Sequence, residues 1–151
     1  MKRARVGMIA AALLTAATVA WAQKPDFTGT WTVDPASAPA AGDSALGSST
    51  ATVKQTADAL TIERPMSDAT VTLTYKLDGS DSRNMMMGPT GQPADSMSNA
   101  RWDGPKLTIV TKQEAAGQLT QSTEVWTMVG TTLRVETTNA RGTQKRTYVK
   151  K

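Results

Sequence analysis

Residues able to do chemistry are few in this chain of 151 residues. It has no histidine and no cysteine. That removes the commonest general base, the commonest metal ligand and any thiolate nucleophile. A hydroxyl nucleophile needs an activating base, which only carboxylates or lysines could supply here. Glu63, Glu124 and Glu136 lie in stretches rich in Thr and Arg. That setting predicts solvated or paired surface charge, not two carboxylates placed for acid–base work. No glycine-rich phosphate loop occurs. The expectation is a protein that is not an enzyme and uses no cofactor. The methionines are the unusual feature: Met85, Met86 and Met87 are consecutive, and Met97 follows. Thioethers can hold Cu(I). In a strand Met85 and Met87 share one face, and a hairpin bend would bring Met97 near Met87. With no histidine or cysteine to back them, they are expected as adaptable apolar lining near a binding rim, with no metal.

Whatever those residues do, strands must position them. Phe27, Gly29, Trp31 and Val33 alternate with Thr28, Thr30 and Thr32, as a strand with one face in a core and one in water requires. Asp34-Pro35 ends it. Residues 35–49 are low in complexity and read as a surface loop, or as a lid over a barrel mouth. From Thr50 onward the pattern is a strand meander. Ala51 and Val53 mark one strand, Leu60 and Ile62 the next, and Val71, Leu73, Tyr75 and Leu77 alternate cleanly in a third. Further strands are expected over residues 83–87, 99–102, 107–110, 119–128, 132–138 and 144–150, separated by Gly-containing turns. Gly79, Gly104 and Gly130 recur at spacings of 25 and 26, each after a strand bearing an aromatic residue. Pairing across these turns is self-consistent. Trp102 opposite Leu107 puts Ala100 opposite Ile109, and Met128 opposite Leu133 puts Trp126 opposite Val135. A slip by one residue would turn Thr and Arg134 inward instead. No segment has a 3.6-residue period. The fold class is therefore all-β: an antiparallel up-and-down meander of about eight to ten strands closing into a barrel.

The first 22 residues stand apart. Lys2, Arg3 and Arg5 precede an apolar run that ends in Ala20-Trp21-Ala22, the layout of a secretory signal peptide. The run is shorter than the ~20 apolar residues a membrane span needs. The reading is a signal peptide over 1–22, one barrel domain over 23–151, and a periplasmic or secreted location. Without the leader, Lys+Arg falls from 17 to 14 against 13 Asp+Glu, because three basic residues and no acidic ones leave with it. The near-neutral domain has no basic stripe to track phosphates, so nucleic-acid binding is excluded. An outer face of Thr, Lys, Gln and Glu, and a Lys150-Lys151 terminus, exclude insertion as a membrane barrel.

At Phe27-x-Gly29-x-Trp31 the chain resembles the calycin group, the lipocalins and fatty-acid-binding proteins, whose first strand carries Gly-x-Trp. The resemblance implies that Gly29 lets the strand bend tightly at the closed end and that Trp31 plugs the base. It also implies a basic residue on the last strand packed across that Trp; Arg146 matches best, with Arg134 as the fallback. The Trp102-Asp103-Gly104-Pro105-Lys106-Leu107 hairpin is similar to those of bacterial exported proteins that also open on Phe-x-Gly-x-Trp. The lipocalins' C-terminal helix has no counterpart here, and the helical lid of fatty-acid-binding proteins is replaced by the Ala/Ser/Pro-rich loop. A lipocalin-like barrel implies binding of a small apolar molecule. Leu73, Tyr75, Trp102, Trp126 and Met128 are the candidates for its inner face, with Met85 and Met87 at the rim. The alternative is a solid-packed barrel that serves as a periplasmic accessory or inhibitor module and binds a protein partner.

Overall fold

The computed structural model describes residues 23–37, 44–47, 49–88 and 91–151. The proposed signal peptide lies outside the described residues. Ten strands run β1 (Gly29–Val33), β2 (Thr50–Gln55), β3 (Ala59–Pro65), β4 (Thr70–Lys76), β5 (Asp81–Met87), β6 (Pro93–Asp103), β7 (Lys106–Ala115), β8 (Gln118–Val129), β9 (Thr132–Asn139) and β10 (Gly142–Lys150). Among the described residues there is no helix. All the pairings are antiparallel, in the order β4-β3-β2-β1-β10-β9-β8-β7-β6-β5. This is the expected meander, with the first strand laid against the last through Trp31↔Lys150 and Val33↔Tyr148.

The registers read from the hairpins hold: Trp102 faces Leu107, Ala100 faces Ile109, Trp126 faces Val135 and Met128 faces Leu133. The turns explain why. Gly104 and Gly130 adopt φ of 57° and 61°, left-handed values that glycine takes without a Cβ penalty. With the turns fixed, alternation selects the face that goes inside.

The ring closes at a seam between β4 and β5, where side chains replace the ladder. The Asn84 carboxamide accepts from Thr74 N at 2.8 Å and donates to Thr74 O at 3.0 Å, as a peptide group would. Ser82 Oγ accepts from Lys76 N at 2.8 Å. Two strand edges that would otherwise be left unpaired are thereby satisfied.

The floor of the barrel is aromatic. Phe27 and Trp31 are fully buried, as is Trp126. The Phe27 ring stacks on Trp102 at 5.7 Å and meets Trp126 edge-on at 5.5 Å. The first strand begins at Gly29 and not at Phe27. Gln55 holds the lead-in instead: its Oε1 accepts from Phe27 N at 3.0 Å and its Nε2 donates to Pro25 O at 3.1 Å. Trp31 Nε1 donates to Phe27 O at 2.8 Å, so the buried indole is satisfied. The cation across Trp31 is Lys150, with Nζ 5.5 Å from the ring centroid, and not Arg146. β10 is aligned so that Lys150 is the direct partner of Trp31, whereas Arg146 lies four residues further along. A Cβ on Gly29 would stand 2.3 Å from Lys150 Cε. Gly29 thus leaves the slot through which the lysine stem reaches the indole.

Candidate ligand-binding site

Above that floor the inner face changes character. Along β8 it passes from Trp126 to Glu124 and Ser122, along β7 from Ile109 to Thr111 and Gln113, and along β6 from Ala100 to Ser98 and Ser96. On β5 it carries Ser82, Asn84 and Met86. Ser82, Asn84, Ser96, Ser98, Glu124 and Thr137 are all buried. Several satisfy one another: Ser98 Oγ and Thr111 Oγ1 lie 2.9 Å apart, and Ser96 Oγ donates to Asn84 O at 3.1 Å. The lower half of the barrel is thus an apolar core, and the upper half is lined with hydroxyls and amides.

Residues 44–47 enter this polar half. Ser44, Ala45 and Leu46 are buried, and lumen side chains clasp their backbone. Glu124 Oε1 accepts from Ala45 N at 2.7 Å, and its Oε2 accepts from Trp126 Nε1 at 2.9 Å. Arg64 Nη1 donates to Ser44 O at 3.3 Å. Arg146 Nη1 and the Tyr148 hydroxyl both donate to Gly47 O, at 3.1 and 2.8 Å. With its proton committed to Gly47, Tyr148 accepts from Ser44 Oγ at 3.0 Å. The loop expected over 35–49 is therefore, in this part, an insertion into the barrel. Residues 38–43 and 48 lie outside the described residues.

Glu124 is the electrostatic centre. Burial pushes its carboxyl above the ordinary carboxylate range, against the hydrogen bonds from Trp126 and Ala45 and the charges of Arg64 and Arg146. Desolvation is the largest of these effects, because a low-dielectric surrounding penalises the charged form. Burial raises the Tyr148 hydroxyl too, and the hydrogen bonds from Ser44 and Arg146 oppose that rise.

At the open end a cleft of about 390 Å3 lies between β5, β7, β8 and the β9–β10 turn. Met86, Thr111, Gln113, Ser122 and Asn139 line it from the inner face, and Met87, Leu119 and Arg141 line its lip. Leu119 is 71% exposed, the most exposed large apolar side chain among the described residues.

The structure spreads the expected site residues over three places. Leu73, Tyr75 and Trp126 are fully buried in the packed core. Trp102 and Met128 are partly buried against it, and Lys24 Nζ lies 5.6 Å from the Trp102 ring centroid. Met85 does not line the mouth. It is 61% exposed on the outer face, because Ser82 and Asn84 set the inward parity of β5 and Met86 follows them. Met87 has the same outward parity and touches the cleft only at its lip. Met97 pairs with Arg83, four residues from Met87, so the methionines do not gather around one point. Glu63 and Glu136 are surface charges paired with Lys54 and Lys145, as expected, and Glu124 is not. Glu124, Arg64, Arg146 and Tyr148 are the site residues that the sequence reading missed or placed elsewhere. Strand parity could have found them. Glu124 shares a face with Trp126, Arg64 with Ile62, and Arg146 with Tyr148.

No protein-family model matches the chain, and no curated protein matches it. Solved structures do. A mutant of the fluorescent protein UnaG aligns with 83% of this chain and 96% of its own, at a TM-score of 0.57 and 19% identity. Human cRBP IV aligns with 84% of this chain and 99% of its own, at a TM-score of 0.58 and 19% identity. The shared feature is the fold, an antiparallel β-barrel.

Proposed function

We propose that this chain is an exported, non-enzymatic carrier that takes a small lipophilic molecule into the open half of its barrel. The observation that carries this reading is the division of the inner face. A solid aromatic floor holds the fold. Above it the inner face carries buried hydroxyls, two guanidinium groups and one carboxylate, and a cleft of about 390 Å3 opens between β5, β7, β8 and the β9–β10 turn. Concave sites in which a few placed polar groups fix the ligand's orientation are the usual form of small-molecule sites. The shared fold with UnaG and human cRBP IV supports a binding role, and the leader layout of residues 1–22 supports export. Native mass spectrometry of protein purified from its host tests the reading: a co-purifying small mass is expected, and a clean apo mass under gentle conditions counts against it. N-terminal sequencing should find Gln23 first.

A second reading draws on a separate observation. Met85, Met87 and Met97 are 61%, 42% and 44% exposed on the outer face of the β5–β6 hairpin, and soft apolar side chains suit adaptable contacts. On this reading the chain is a periplasmic accessory or inhibitor module, and cross-linking in the host would capture a protein partner through this hairpin and no small molecule inside.

A further inference from the structure

The β9–β10 hairpin turns through two residues, Ala140 and Arg141, between the paired Asn139 and Gly142. Asn139 Oδ1 accepts from Arg141 N at 2.8 Å, a side-chain bond that fixes the turn locally. Arg141 is exposed, and among the described residues no carboxylate pairs with it. It is also the one charged residue among the described residues that line the open-end cleft. Glu114, opposite Leu119 on the outer face, does not line it. The neutral wall groups are already committed. Thr111 Oγ1 lies 2.9 Å from Ser98 Oγ, and Thr120 Oγ1 donates to Gln113 O at 3.2 Å. The apolar lining is Met86 on the inner face, with Met87 and Leu119 on the lip. The cleft thus pairs one uncommitted cation with an apolar strip at the rim.

The geometry points to Arg141 as the rim anchor of an anionic single-chain amphiphile, held with its head at the mouth and its tail along Met86, Met87 and Leu119. This inference rests on the ligand-binding reading above and names the class of ligand. Charge sets the head group. A guanidinium has five donors and no acceptor, in a fork that matches a carboxylate or a phosphate. An ammonium head would meet a cation with no acid among the described lining residues to offset it. Volume sets the number of tails. A methylene takes up about as much room as a water, on the order of 30 Å3, so the cleft of about 390 Å3 holds roughly a dozen such groups, one chain and not two. Packing sets the direction. The aromatic floor is solid, and Ser44, Ala45 and Leu46 are buried within the polar half, so the space on offer lies at the rim. Flexible thioethers there can follow the course of a chain.

Four probes that share a decyl chain test this by calorimetric titration below their micelle concentrations: decanoate, decyl phosphate, decan-1-ol and decyltrimethylammonium. The wild type is expected to bind at least one anion about tenfold more tightly than the alcohol, the effect of roughly one charge-assisted hydrogen bond. It should bind the ammonium probe more weakly than the alcohol. The tighter of the two anions identifies the head group as carboxylate or phosphate. Arg141→Gln should bring that anion down to the level of the alcohol, leave the alcohol within about twofold, and melt with the wild type, as most exposed substitutions do. Raising the salt concentration should shrink the anion preference of the wild type and not of the variant. Leu119→Ser should weaken all four probes alike, because it touches the tail and not the head. A preference for the anion that survives Arg141→Gln, or a wild type that binds all four probes equally, overturns the anchor and leaves the carrier reading standing. An unchanged affinity in Leu119→Ser overturns the placement of the tail. A wild type that binds none of the four overturns the whole inference, and the native mass then decides the carrier reading separately: a co-purifying small mass keeps it, and a clean apo mass removes it.

Discussion

Replacing Glu124 by Gln should change how stability depends on pH, and the direction follows from where the carboxyl sits. Burial raises its folded-state affinity for a proton above that of the unfolded chain, whose value is near 4.5. The folded protein therefore holds the proton more tightly. The contribution is fully present below pH 4.5 and is lost as pH rises through the folded value. A single group changes stability by at most about 1.4 kcal/mol per pH unit inside that window. The lowered carboxylates, Asp26 and Asp78, act in the opposite sense and elsewhere. Their contribution is present above 3.8 and lost as pH falls through their folded values, so they leave the window above 4.5 undisturbed. Glutamine matches the neutral acid in shape, but its NH2 cannot accept the second of the two N–H bonds that Glu124 takes from Ala45 and Trp126. The wild type should thus be the more stable at pH 4.5 by about one buried hydrogen bond, roughly 1–3 kcal/mol, and the difference should move in favour of the variant as pH rises. Urea denaturation followed by tryptophan fluorescence at half-unit steps from pH 4 to 8 reads this directly. A flat difference would mean that Arg64 and Arg146 fully offset the burial of the carboxylate. A difference moving against the variant would mean that Glu124 is a net-stabilising anion, and the desolvation argument would be wrong.

Four other substitutions probe the frame around the site. Gly29→Ala should cost about 2–3 kcal/mol in the same denaturation assay, because φ is +146° and the new Cβ meets the Lys150 stem. Lys150→Ala alone should cost no more than ~1 kcal/mol, and combining the two should add little to Gly29→Ala, since the first change already lifts the lysine from Trp31. Asn84→Ala strands both the N–H and the C=O of Thr74 at the seam. It should cost about 2–3 kcal/mol and raise the hydrogen-exchange rate of the Thr74 amide well above that of amides in the β7–β8 ladder. Ala116→Gly should stabilise by up to ~1 kcal/mol. Ala116 and Gly117, at φ 52° and 75°, make a two-residue turn of the type that asks for positive φ at both positions.

The meander and its registers were legible because tight turns and a two-residue alternation leave few alternatives. Trp102, Leu107, Trp126 and Val135 are large and apolar, and only one register puts all of them inside. The upper half was not legible for the same reason. Reading faces by hydrophobicity assigns a Glu or Arg to water, so Glu124 reads as surface charge although it shares a face with Trp126. In β5 the rule chose the wrong face outright. Ser82 and Asn84 point inward because they bridge to β4, and the two outward methionines made the other parity look apolar. Arg146 and its fallback Arg134 both miss the brace for Trp31, which is Lys150, because the partner depends on how β10 slides against β1, a pairing that no short turn fixes. The inserted segment was beyond local reading altogether: Ser44, Ala45 and Gly47 find their partners in Glu124, Arg146 and Tyr148, 79 to 104 residues away.

The two halves of the inner face answer to different demands. Stability alone would favour apolar side chains throughout a barrel of this size, since buried polar groups contribute little net free energy and are costly when unmatched. The floor follows that logic, with Trp31 and Trp126 both buried and both indole nitrogens bonded. The upper half departs from it at several buried polar positions and at three charged side chains. The 44–47 segment reconciles the departure. It supplies an N–H to Glu124 and carbonyls to Arg64, Arg146 and Tyr148, so that most of these groups are satisfied from within the chain. Among the described residues, what it leaves unmatched is Tyr75 Oη and Arg64 Nε. The inserted segment thus completes the polar half from within the chain, as the bonded indoles complete the floor.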